Sequence, residues 1–113
     1  MATPEKTQAL EQAFDNVMDE LEKGWPFNND NYPEIPKDKY RRKDFIIKHI
    51  LLHMVSAMAN IAQYPEKGDH GESGGNYSYL HNGAKKQIVN SFRLARELGI
   101  TGKDLVKHLS GIE

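Results

Sequence analysis

Apolar positions recur along the chain with a helical period, and no segment alternates with the period of a strand. Leu10, Ala13, Phe14, Val17, Met18 and Leu21 lay one apolar stripe along a first helix. Thr3 reads as its N-cap, Pro4 suits the first helical position because it has no N–H to leave unpaired, and Glu5 complements the helix dipole. Gly24 reads as a left-handed stop, with Trp25 folding back on the last turn. Glu11, Asp15, Asp19 and Glu22 fall on the opposite flank and read as a solvated face. Residues 25–40 hold three prolines and four aromatics, too irregular for a helix and too apolar for a free linker, so an ordered cover over the helices is expected.

A second helix is expected from about residue 38 or 41 to 64, stopped by Tyr64-Pro65. Its apolar residues, Ile46, Ile47, Ile50, Leu51, Leu52, Met54, Val55, Met58 and Ile61, cover about two thirds of its circumference, which predicts a central helix or an oligomer interface. The remaining arc holds His49, His53, Ser56, Asn60 and Gln63. It has no Lys, Arg, Asp or Glu, so a polar crevice or another chain is expected to face it. Residues 65–76, with four glycines and three acids, predict a mobile loop. A third helix follows from about Tyr77 to Leu98, with Tyr77, Leu80, Ala84, Ile88, Phe92, Ala95 and Leu98 as its core stripe. Gly99 repeats the stop expected at Gly24, and Thr101 with Asp104 starts a short last helix to about Leu109. The prediction is one all-α domain spanning 1–113, a compact bundle of three long helices plus a short C-terminal helix, with the second helix central and the long aromatic and proline-rich loop over it.

A net charge of −1 argues against a strongly basic nucleic-acid or membrane binder. The distribution qualifies this: residues 1–35 hold eight acids and two bases, so the front of the chain is acidic and the rest basic. The absence of cysteine removes disulfides, thiolate metal sites and thiol nucleophiles, so any metal must be held by histidine and carboxylate. No stretch of 18 residues is free of polar groups and the N-terminus does not read as a signal peptide; a cytoplasmic protein without a membrane span is expected.

Two constellations could carry chemistry. His49 and His53, at i and i+4, have the spacing by which two imidazoles share one cation, and Asp69, His70, Glu72 and His81 follow as further candidate metal ligands. Lys85, Lys86, Arg93 and Arg96 share one face of the third helix and could contact phosphates, an acidic partner, or the acidic flank of the first helix. Ala95, Gly99 and Leu105 have the spacing of a helix-turn-helix, which a tight helical corner needs equally. The last helix offers Lys103, Lys107 and His108 but no Arg, Asn or Gln for base readout.

The segments Lys48-His49-Ile50-Leu51-Leu52, Gly68-Asp69-His70-Gly71-Glu72-Ser73-Gly74 and Tyr79-Leu80-His81-Asn82 together resemble the phage-type dATP/dGTP diphosphohydrolases of the all-α MazG-like group. The resemblance covers about 35 residues with an insertion between its parts. It implies a divalent metal such as Mg²⁺ held by Asp69 and Glu72, with His49 and His81 as polar helpers and Lys85 or Lys86 on phosphate. The Glu-x-x-Glu and Glu-x-x-Asp pairs with which MazG-like enzymes bind magnesium do not occur in the second or third helix. The leading expectation is therefore a self-associating helical binding protein whose groove of His49, His53, Ser56 and Asn60 takes a ligand, a nucleotide or other acidic molecule among them, or a partner. The alternatives are a metal-dependent nucleotide pyrophosphohydrolase and a helix-turn-helix DNA-binding protein.

Overall fold

The computed structural model describes residues 3–69 and 75–112. Helix α1 spans Pro4–Gly24, α2 Lys39–Asp69, α3 Gly75–Glu97 and α4 Gly102–Ile112, and no strand occurs among the described residues. The protein is all-α, three long helices and a short fourth.

The helix ends show which local signals operate. Thr3 caps α1, its hydroxyl accepting the Lys6 N–H at 3.3 Å. At the end of α3, Gly99 adopts φ 76°, the Gly99 N–H donates to the Arg96 carbonyl at 3.0 Å and the Ile100 N–H to the Ala95 carbonyl at 2.9 Å. This is a Schellman stop, and it accounts for the Ala95–Gly99–Leu105 spacing as corner geometry. The corner feeds a reciprocal cap on α4: the Thr101 N–H donates to Asp104 at 3.0 Å and the Asp104 N–H to the Thr101 hydroxyl at 3.2 Å. Hydrogen bonds from the Thr101 backbone, and then its hydroxyl, hold the Asp104 carboxyl below its ordinary pKa.

Gly24 does not repeat that stop. Among the described residues Gly99 is the glycine with positive φ; the chain leaves α1 through Trp25 at φ −149°, its N–H donating to the Leu21 carbonyl. Pro26 explains the difference, because a residue preceding proline is pushed to extended conformations. The Trp25 indole accordingly reaches forward, donating to the Tyr32 hydroxyl at 2.8 Å, rather than back onto α1.

The second expectation to change is the end of α2. The helix runs through Pro65 to Asp69, so the Ile61 carbonyl has no i+4 N–H to accept from, and the loop predicted for 65–76 is helical at both margins. Its centre, 70–74, lies outside the described residues.

Helix α3, not α2, is central. Contacts at Met54–Gln87, Ala57 and Ile61–Gly83, and the Ile50 cluster with Leu94 run in opposite sequence order, so α2 and α3 form an antiparallel hairpin. A Cβ on Gly83 would lie 2.7 Å from Ile61 Cγ1 and 2.9 Å from the Ala57 carbonyl oxygen, so the two helices approach there closely enough to require glycine. On its other flank α3 meets α1 through Phe14–Phe92, with ring centroids 5.9 Å apart, and through the Arg96–Asp19 ion pair. Helix α4 docks on α1. Among the described residues α2 packs against no helix but α3.

The result is the helical bundle expected, but a flat and extended one rather than a compact one. The radius of gyration is 17.4 Å, against about 13 Å for a compact chain of this length. The extents are 45 × 45 × 22 Å, and the short axis is about two helix diameters. The main core joins the 25–38 loop to the hairpin: Phe27, Ile35, Ile46 and Ile50 are buried together, with Tyr32, Phe45, Met54 and Leu94 against them. The aromatic segment is thus the ordered cover its composition predicts. Arg42 and Arg93 tie it down by donating to the Phe27 and Trp25 carbonyls. Among the described residues nothing covers the opposite side of α2. Leu51, Leu52, Val55 and Met58 are exposed, Leu52 by 70% and Val55 by 68%. By length and composition Lys39–Ala62 could cross a membrane, although the arc of His49, His53, Ser56 and Asn60 falls within it.

Candidate functional site

The α2–α3 hairpin leaves a groove of about 420 Å³ along one side of its contact line, lined by His53, Ser56 and Ala57 from α2 and by Lys85, Lys86, Val89 and Asn90 from α3. Ala57 is buried and forms the floor, since its small side chain lets the helices meet below while the longer side chains stand up as walls. Among the described residues the lining contains two lysines, an imidazole, a hydroxyl and an amide, and no carboxylate. Such a lining presents donors and positive charge to an anion.

The groove unites two sets of residues that the sequence suggested separately, and divides each of them. Of the polar arc on α2, His53 and Ser56 line the groove. Asn60 is half-buried and not part of the lining, and His49 turns toward the aromatic core. Of the basic face on α3, Lys85 and Lys86 line the groove. Arg93 lies over the Phe27 ring, 4.3 Å from its centroid, and donates to the Trp25 carbonyl; Arg96 pairs with Asp19. Both arginines thus make ties within the chain, and the pairing of Arg96 with the acidic flank of α1 is one of the alternatives the charge pattern left open. Asp19 and Asp15, in turn, are not merely solvated: Asp15 accepts the Gly102 N–H at 2.7 Å, a carboxylate at the positive end of α4.

His49 and His53 do come together. Their Nε2 atoms are 3.1 Å apart, one ring donating to the other. His49 is caged: Phe45 stacks on it at an interplanar angle of 8°, and Tyr32 meets it edge-on with centroids 4.9 Å apart. Burial lowers the His49 pKa below the ordinary imidazole value, the neighbouring His53 and Arg93 lower it further, and Glu34 opposes them. Burial thus favours the uncharged ring, the form in which an imidazole can act as a ligand.

The other predicted metal ligands do not assemble where they can be seen. His81 is exposed on α3, Asp69 is the last residue of α2 with its side chain outside the described residues, and His70 and Glu72 lie outside them altogether. Among the described residues no three histidine or carboxylate side chains converge on one point. The sequence reading missed Asn90, which stands one helical turn from Lys86 on the same wall; its i+4 spacing was the available signal. Comparison with protein-family models, curated proteins and solved structures finds no match to this chain. The resemblance to the MazG-like group therefore rests on the residues quoted for it.

Proposed function

We propose that this protein is a small helical ligand-binding protein whose α2–α3 groove holds an anionic, phosphate-bearing small molecule. The observation that carries the reading is the convergence of Lys85 and Lys86 with His53, Ser56 and Asn90 around one opening, with no acid among the described residues that line it. Two ammonium groups supply charge, and the hydroxyl and amide supply directed donors. Calorimetric titration with pyrophosphate and with nucleoside triphosphates in metal-free buffer tests it. Saturable binding that weakens steeply with salt is expected, and Lys85→Glu/Lys86→Glu should abolish it while the helical circular dichroism is retained. Absence of saturable binding by every polyphosphate tried would overturn the reading.

The exposed stripe on α2 favours a second element of function, self-association. The chain's accessible area, 8289 Å², exceeds by about 2,000 Å² the area of a typical monomer of 12.9 kDa. A standard interface covers about 800 Å² per partner, so the excess is enough for a second copy of this chain to bury. Leu51, Leu52, Val55 and Met58 are spaced to form one ridge, on the side of α2 away from α3, against which the same ridge of a second copy can pack in a two-fold arrangement. Sedimentation equilibrium is expected to give twice the chain mass, and Leu52→Lys/Val55→Lys a folded monomer. A wild-type monomer at high micromolar concentration would refute the pairing, as would preferential partition of the wild type into lipid vesicles.

A further inference from the structure

We infer that His49 and His53 form a bidentate site for a divalent transition-metal ion of the zinc, copper or nickel class at the histidine end of the groove. The geometry is that of a chelate. Two bonds of about 2.0–2.1 Å from one ion to two imidazole nitrogens place those nitrogens about 3.3 Å apart at a tetrahedral angle and about 2.9 Å apart at a right angle. The observed Nε2–Nε2 separation of 3.1 Å falls between the two. The ion takes the place of the hydrogen that now bridges the rings: that hydrogen moves to Nδ1 of its own ring, so each imidazole binds through Nε2 as a neutral ligand and the pair loses no proton.

The surroundings favour the same conclusion. An i, i+4 pair on a helix is fixed in spacing by the backbone, and His49 is fixed in orientation as well, by Phe45 on its face and Tyr32 at its edge. Only the exposed His53 has a rotamer to settle on binding. Two neutral imidazoles select borderline ions over magnesium, which takes oxygen ligands. With no third histidine or carboxylate converging among the described residues, the remaining positions fall to water or to a ligand. His53 belongs both to the chelate and to the groove lining, so an oxygen of a bound anion is the natural occupant of one of them. That last step rests on the groove reading; the chelate does not.

The experiment separates the two. Zn²⁺ alone is titrated by calorimetry, and Cu²⁺ alone by electron paramagnetic resonance, into the full chain without any anion. One equivalent is expected to bind, with nitrogen hyperfine structure for copper. His53→Gln, at an exposed position, should remove that equivalent while leaving the thermal unfolding curve unchanged. Lys85→Glu/Lys86→Glu should keep the metal and lose polyphosphate binding. If neither ion saturates a site, or if His53→Gln binds one equivalent as the wild type does, the chelate is wrong. If the lysine variant loses neither ligand, the groove reading fails and the chelate stands.

Discussion

Replacing Gly102 with leucine is expected to detach α4 from α1 and to destabilise the fold by about 3–5 kcal/mol. A Cβ at this position would lie 2.0 Å from the carbonyl oxygen of Glu11 and 2.9 Å from its carbonyl carbon. Those are backbone atoms of a regular helix, so no side chain can swing away to make room; α4 must lift. Lifting breaks the 2.7 Å hydrogen bond from the Gly102 N–H to Asp15, a charge-assisted contact worth about 1.5–3 kcal/mol, to which the overpacking adds about 1–3 kcal/mol. Urea unfolding followed by circular dichroism measures the loss as a lower midpoint. Asp15→Ala, which removes the hydrogen bond without the clash, should fall between the leucine variant and the wild type. A leucine variant with the wild-type midpoint would show that the two helices do not meet here.

The existence of the helices was legible because each carries its own periodic stripe, and periodicity is a property of the local sequence. Their arrangement was less so. The wide apolar arc of α2 predicted a helix enclosed on most sides, but Ile46 and Ile50 are buried while Leu52 and Val55 are open: width of arc reports how much surface wants cover, not whether this chain supplies it. The central place goes instead to α3, whose Gly83 and Ala95 allow close approach on its flanks. Gly24 and Gly99 looked alike in sequence, and the residue that separates them is Pro26, which dictates the conformation of Trp25. The groove was half legible. Its chemical types were readable on each helix, but which ones face each other depends on the register of the α2–α3 hairpin, a non-local quantity.

The basic face of α3 shows the same limit and supports a second prediction. Projected down the axis, Lys85, Lys86, Arg93 and Arg96 share one direction, yet Arg93 stands about 12 Å further along the helix than Lys85, since each residue rises about 1.5 Å. The lysines therefore look onto α2 at His53 and Ser56, while Arg93 looks onto the 25–38 loop. Arg93→Ala is expected to cost about 2–4 kcal/mol of stability: the guanidinium hydrogen bond to the Trp25 carbonyl contributes about 1.5–3 kcal/mol and its place over the Phe27 ring about 0.5–2 kcal/mol. The buried Nε, with no partner among the described residues, keeps the sum toward the lower end. Arg93→Lys should recover only part of it, because an ammonium cannot stack on the ring and reach the carbonyl with the same flat fork. Chemical denaturation of the three proteins, with pyrophosphate titration in native buffer, gives both readouts. Polyphosphate affinity should stay within a factor of two or so of wild type, the scale of a distant and screened charge, while the unfolding midpoint drops. A variant that kept its stability and lost the ligand would return Arg93 to the binding face and move the site from the α2–α3 groove toward the Trp25 end of α3.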